Sequence, residues 1–260
     1  MLSLKGQRDD HQLMVGDVVE VINHDAASDI LLVCEHASNY IPPYFDNLGL
    51  SEIAATSHAA WDPGALSVAK SISSLLGATL IAPTFSRLIY DCNRPPESPA
   101  AIPEKSEVYE IPGNSNLSHD DKQSRVDQLY LPYRQVLSDF VDVRIAAGRA
   151  PIVITIHSFT PIFHGHTRQV EIGIIHDQDA RLADNLLAIC KKQSDLIFKL
   201  NDPYGPEDEV THTLIEQGQS KGLLNAMIEI RNDLIVSQET QSQMAGLLAS
   251  CLSETIKNIK

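Results

Sequence analysis

Short, unbroken apolar runs that stop on a titratable residue constrain this chain more than any other feature. Ile30-Leu31-Leu32-Val33-Cys34 stops at Glu35-His36, and Ile152-Val153-Ile154-Thr155-Ile156 stops at His157. A strand buried on both faces reads as a continuous apolar run, because helices cover each side of a parallel sheet. Residues 78–82, 170–175 and 227–230, the last carrying Glu229, read as further strands. Between them Leu66, Val68, Ala69, Ile72, Leu75 and Leu76 recur at helical spacing and predict a helix over residues 65–76, with Gly77 as its stop. Two more helices are predicted over residues 179–192 and 237–259, and Ser118-His119-Asp120-Asp121 caps another that reaches about Ala147. Alternation of this kind predicts an α/β fold, three layers α/β/α around a mixed or parallel central sheet, formed as one domain over residues 1–260.

Five prolines, Pro95, Pro96, Pro99, Pro103 and Pro112, with Gly113-Asn114, prevent long regular structure between residues 95 and 118. An ordered loop or lid of that length is expected there, and such loops usually serve function in compact domains.

Hydrophobic residues at 43% and charged residues at 21% exclude long disorder. Lys and Arg number 20 against 34 Asp and Glu, a net charge of −14, which disfavours nucleic-acid and anionic-membrane partners. An anionic substrate would need local arginines to overcome that background. Cys34, Cys92, Cys190 and Cys251 lie far apart, so neither a thiol zinc cluster nor a redox pair is indicated, and reduced thiols are expected. Residues 1–17 carry charges where a signal peptide needs an apolar core, and no apolar run approaches a membrane span. The expectation is a cytoplasmic protein, monomer or homodimer, working on a small molecule.

Ligands of open α/β sheets bind beyond the carboxyl ends of the strands, where this chain places Glu35-His36, His157 and Glu229. A lone histidine is more often structural than a ligand, but two at strand ends, each close to a serine, strengthen the functional reading. His36 and His157 could give nitrogen to a catalytic metal, and Asp62, in His58-Ala-Ala-Trp-Asp-Pro-Gly64, could give oxygen. An Asp before Pro-Gly also suits a turn or cap, so the two readings of Asp62 stand level. Glu35 competes as the oxygen ligand, although neighbours on an extended segment point to opposite sides.

Between Ser86 and Pro95, Arg87, Asp91, Asn93 and Arg94 could bind a carboxylate or polarise a carbonyl, or an Arg–Asp pair could staple the loop. Arg94 is expected to face substrate and Asp91 to hold local geometry. Glu229 and Arg231 share one face of a strand, opposite Ile228 and Ile230. They form either an edge-strand salt bridge or a site in which Glu229 moves a proton from metal-bound water to a leaving nitrogen.

The segments Cys34-Glu-His-Ala-Ser38, Ala60-Trp-Asp-Pro-Gly-Ala65, Ser86-Arg-Leu-Ile-Tyr-Asp-Cys-Asn-Arg-Pro95, Ile111-Pro-Gly-Asn114, Ile156-His-Ser-Phe-Thr-Pro161, Asn201-Asp-Pro-Tyr204 and Ile228-Glu-Ile-Arg-Asn-Asp-Leu-Ile235 stand in the order found in one family. From about Leu31 to about Leu252 the chain resembles the N-formylglutamate amidohydrolases, themselves similar to zinc carboxypeptidases and aspartoacylases. The likeness implies a phosphorylase/hydrolase-like fold and hydrolysis of a linear amide in an N-acyl amino acid, such as N-formylglutamate to formate and glutamate in histidine degradation. It implies zinc, or another divalent metal, on His36 and His157, Glu229 as catalytic base, and Asn93 and Arg94 toward a substrate carboxylate; Arg87 is expected to polarise the acyl carbonyl, and Arg231 and Ser158 to face substrate. The relatives' His-x-x-Glu motif is absent, since Ala37-Ser38-Asn39 follows His36, and Asp62 is nominated as third ligand for that reason. Gln217 stands before Gly218 where members commonly have histidine, and Arg168-Gln169-Val170 replaces Arg-Pro-Trp. The alternatives are a non-catalytic ligand-binding homologue, or an amidase for a larger N-acyl or peptide substrate.

Overall fold

The computed structural model describes residues 18–259, so the N-terminal stretch read above for a signal peptide lies outside the described residues. Seven strands form the central sheet: β1 (Val19–Ile22), β2 (Ile30–Val33), β3 (Thr79–Pro83), β4 (Ile152–Phe159), β5 (Ile172–Ile175), β6 (Phe198–Leu200) and β7 (Asn225–Arg231). Their order is β1-β3-β2-β4-β7-β5-β6. β3, β2, β4 and β7 run parallel, and β5 with β6 and β1 run against them, so the sheet is mixed. β7 lies between β4 and β5, which removes the edge-strand reading of Glu229 and Arg231. The edge strands β1 and β6 escaped the sequence pattern, because four residues with a glutamate inside and three residues with a lysine inside are too short to show a period.

The principal helices are α1 (Ala65–Leu76), α2 (His119–Arg125), α3 (Leu131–Ala146), α4 (Arg181–Gln193) and α5 (Gln238–Ile259). Helix α1 has the predicted bounds, and Gly77 ends it in the left-handed conformation that glycine tolerates best. Ser118 caps α2 through a reciprocal pair with Asp121, as expected of that sequence. A wide turn over Val126–Tyr130 joins α2 to α3 next to Pro132, which lacks the backbone donor a regular turn would use.

Side chains alternate across the sheet and give it two chemically different faces. On one, Leu32, Leu80, Ile154, Ile156, Ile228 and Ile230 pack with Val68, Ile72, Leu186 and Leu248 from α1, α4 and α5 in a continuous apolar cluster. On the other, Leu31, Val33, Ile81 and Val153 pack with Leu129, Tyr133, Leu137 and Val141. The alternation that buries Val153 on this second face also delivers Thr155 and then His157 to it. Beyond β2 the step from Val33 brings Glu35, and on β7 the step from Met227 brings Glu229. Polar chemistry therefore gathers on one face at the carboxyl ends of three adjacent parallel strands.

Gly173 on β5 lies opposite Glu229 in register. A Cβ there would sit 2.4 Å from the Asp202 carbonyl oxygen and 3.3 Å from Glu229 Cβ, so only glycine lets residues 201–204 lie against the strand. The proline-rich segment is ordered, with single turns at Pro99–Ala101 and Pro112–Asn114 flanking a small hairpin that pairs Lys105 with Glu110 and Ser106 with Tyr109. Asn114 anchors it by donating to the carbonyls of Leu88 and Pro103. All four cysteines are free and buried. Among the described residues no helix is long and apolar enough to cross a membrane.

Candidate metal centre

Three buried side chains converge on one point. His36 Nδ1 lies 3.2 Å from Asp62 Oδ2, His157 Nδ1 lies 2.9 Å from the same oxygen, and the two ring nitrogens are 3.1 Å apart. The backbone explains the meeting: the Asp62 N–H donates to the His36 carbonyl at 2.9 Å, and the Ser158 hydroxyl donates to the Pro63 carbonyl at 2.9 Å. The loop that starts α1 is thereby stitched to the ends of β2 and β4. Two imidazole nitrogens and a carboxylate oxygen face one another at a cost unless they share a cation or protons. Zinc bonds of about 2.0–2.2 Å in a tetrahedral set separate ligand atoms by about 3.4 Å, close to these spacings, so the residues fit a divalent ion.

The far nitrogen of each ring faces another carboxylate. His157 Nε2 is 3.0 Å from Glu35 Oε2, and His36 Nε2 is 2.8 Å from Asp91 Oδ1. A carboxylate behind a ligand histidine fixes the ring and leaves its other nitrogen free to bind. Asp62 joins the histidines in the triangle, while Glu35 stands behind His157. Sequence reasoning weighed Glu35 only as a ligand, because linear spacing does not distinguish a residue in the triangle from one behind it.

Charge in the cluster follows from this packing. Burial opposes ionisation of Asp91, but Arg87 and His36 hold its carboxyl well below the usual range. Burial would also lower His157, yet Glu35 and Asp62 outweigh it and raise the ring's affinity for a proton. A proton would therefore compete with any metal ion for a nitrogen of this ring. Among the described residues Glu229 Oε2 has no hydrogen-bond partner, and burial pushes the carboxyl up to about 7.

The triangle opens onto a cavity of about 410 Å³, within the usual range for a small-molecule site. Glu229, the register partner of His157, lines it and keeps Oε2 without a hydrogen bond among the described residues. Arg87 donates to Asp91 Oδ2 at 2.7 Å, and its Nη1 reaches to 3.1 Å from His36 Nδ1 and 3.7 Å from Asp62 Oδ1. Arg94 also lines the cavity, with Nη1 buried and unpartnered among the described residues. The hairpin adds Lys105, Ser106 and Glu107 to the cavity wall, where Glu107 Oε1 lies 2.8 Å from His58 Nε2.

The remaining sequence candidates divide between the cavity wall and places away from it. Asn93 is buried on the cavity wall, and its amide donates to the Val210 carbonyl at 2.6 Å and accepts from the Thr213 N–H at 3.0 Å. Ser158 lines the cavity but uses its hydroxyl on Pro63. Arg231 is outside the cavity wall, drawn to Glu171 at 3.3 Å and Asp233 at 2.8 Å. Gln217 is buried near Ser138, also away from the cavity. Tyr204, which does line the cavity, was visible in the sequence only as part of Asn201-Asp-Pro-Tyr204, a segment without chemistry of its own in linear order.

The sequence profile of the N-formylglutamate amidohydrolases matches residues 28–236. The chain is similar to a crystallised gene product of Agrobacterium tumefaciens at 52% identity, covering 94% of this chain and 97% of that one with a TM-score of 0.92. It is similar in fold to an N-formylglutamate amidohydrolase of Ralstonia eutropha JMP134 at 17% identity, covering 93% and 98% with a TM-score of 0.62. No curated protein matches it significantly.

Proposed function

The chain belongs to the N-formylglutamate amidohydrolase family, and on that premise we propose that it hydrolyses the amide of N-formyl-L-glutamate, or of a close N-acyl amino acid, using zinc or another divalent ion on His36, Asp62 and His157. The observation that carries this reading is the buried triangle of two Nδ1 atoms and one carboxylate oxygen, with a carboxylate behind each ring and Glu229 beside it. A cation bound there would supply Lewis acidity to the acyl oxygen and make a water molecule more acidic.

The chain's own groups would perform the rest. Glu229 takes a proton from the attacking water as the water oxygen bonds to the acyl carbon and the carbonyl electron pair moves onto oxygen. When that pair returns, the carbon–nitrogen bond breaks and Glu229 gives its proton to the departing nitrogen, so formate and the free amino acid are released. Arg87, held by Asp91, faces the place where negative charge develops on oxygen. Arg94, with a buried unpartnered donor, suits a substrate carboxylate.

The test is a metal-dependent assay over formyl, acetyl and peptidyl amino acids. Chelation should abolish turnover and zinc should restore it. Glu229→Gln should keep metal and fold while losing about 10²–10⁴-fold in kcat. A chelated protein or a Glu229→Gln variant that turns over normally refutes the reading.

A further inference from the structure

Tyr204 stands on the cavity wall, and its hydroxyl accepts a hydrogen bond from Arg168 Nη1 at 3.0 Å. The Arg168 guanidinium carbon lies among three aromatic rings, 4.4 Å from the Phe163 centroid, 4.8 Å from Tyr204 and 5.5 Å from Phe159. Among the described residues its other hydrogen bond goes to the Thr160 carbonyl at 3.4 Å. A guanidinium in this position can only donate, so it occupies the phenol oxygen as acceptor and leaves the phenol hydrogen to other partners. That hydrogen makes no hydrogen bond to the protein among the described residues.

The phenol's electrostatic neighbours indicate where the hydrogen is useful. Glu229 and Arg87 line the same cavity as Tyr204, and both act on the phenol, whose hydroxyl burial pushes up to about 12 and keeps protonated. Those are the groups assigned above to the water proton and the acyl oxygen. The ring is also firmly held, because the chain before it lies against the bare backbone of Gly173.

We propose that Tyr204 is a catalytic hydrogen-bond donor to the acyl oxygen as charge builds on it, with Arg168 as the positioning residue that aims the phenol. This rests on the amide-hydrolase reading above. The phenol keeps its proton throughout, sharing the hydrogen with the oxyanion without transferring it.

Tyr204→Phe preserves the ring stacked on Arg168 and removes only the hydroxyl. We expect kcat for N-formyl-L-glutamate to fall about 10²–10³-fold, the usual loss for one oxyanion donor, with KM and bound zinc unchanged. Affinity for the methylphosphonamidate of L-glutamate, a tetrahedral mimic, should fall with kcat, while affinity for L-glutamate should not. Arg168→Met should lower kcat without moving KM, and Arg168→Lys should recover part of the loss. A raised KM with normal kcat in Tyr204→Phe would make the phenol a carboxylate binder and overturn the proposal, as would unchanged kcat and unchanged phosphonamidate affinity. If the unaltered protein turns over no N-acyl amino acid, the amidase reading fails and the catalytic role of Tyr204 with it, whereas an active protein whose Tyr204→Phe variant keeps both kcat and phosphonamidate affinity overturns the role of Tyr204 alone.

Discussion

Replacing Glu35 with glutamine isolates the charge that stands behind His157. Glu35 is fully buried and its Oε2 lies 3.0 Å from His157 Nε2. Glutamine fills the same space, so no cavity opens and the fold should survive. A unit charge at 3.0 Å with an effective dielectric near 20 is worth about 5.5 kcal/mol in direct contact, which sets an upper limit. The imidazole that separates Glu35 from the triangle reduces what a bound cation would feel, and loss of such a carboxylate typically weakens metal binding about 10–100-fold, or roughly 1.4–2.8 kcal/mol. A competition titration against a chromophoric chelator reads this directly. Melting with and without zinc gives a second measure. At a zinc concentration about 1,000 times the dissociation constant of the unaltered protein, stabilisation is about 4.1 kcal/mol, and a 100-fold weaker site retains about 1.4 kcal/mol. A folded Glu35→Gln protein with undiminished zinc affinity would show that Glu35 does not hold His157 for a metal.

Three further substitutions probe other parts of the site. Gly173→Ala forces a Cβ into the Asp202 carbonyl and against Glu229, so it should cost about 1–3 kcal/mol in denaturant unfolding and lower kcat as well; unchanged stability would mean that the segment yields freely. Arg94→Ala removes charge-assisted hydrogen bonds worth about 1.5–3 kcal/mol, so KM should rise about 10–150-fold with kcat little changed, in steady-state kinetics; an unaltered KM would dismiss Arg94 as a carboxylate anchor. His58→Ala frees Glu107, so amide exchange across residues 105–110 should speed up while α1 stays protected.

The fold could be read wherever a segment was long enough to show its period. Helix α1, the core of β2 and the capping pair at Ser118 and Asp121 follow from local sequence alone. β1 and β6 do not, because short edge strands owe their conformation to the neighbour they pair with. The same division runs through the site. His36, His157 and Glu229 announce themselves by interrupting apolar runs. Asp62 could not be distinguished from a turn residue until the loop before α1 was seen bound to both strand ends. Asn93 and Arg231 are expected to face substrate, but local sequence does not show the distant groups they also meet, the Val210 carbonyl 117 positions from Asn93 and the Glu171 carboxylate 60 positions from Arg231. Arg168 and Tyr204 meet only because two segments 36 residues apart fold against each other.

The two unlike faces of the sheet also set how freely this chain can change over generations. Along β4, Ile152, Ile154 and Ile156 answer only to apolar volume, so exchanges among Ile, Val and Leu should cost less than about 1.5 kcal/mol. Toward the carboxyl end of the same strand the odd positions include His157, which answers to the geometry of the Asp62 and Glu35 carboxylates on either side of it. Saturation mutagenesis of β4 and β7 should therefore show tolerance that oscillates with a period of two, lenient on one side of a single strand and unforgiving on the other. The helical layer can drift in sequence while the chemistry stays fixed, since the backbone between them is the only part they share.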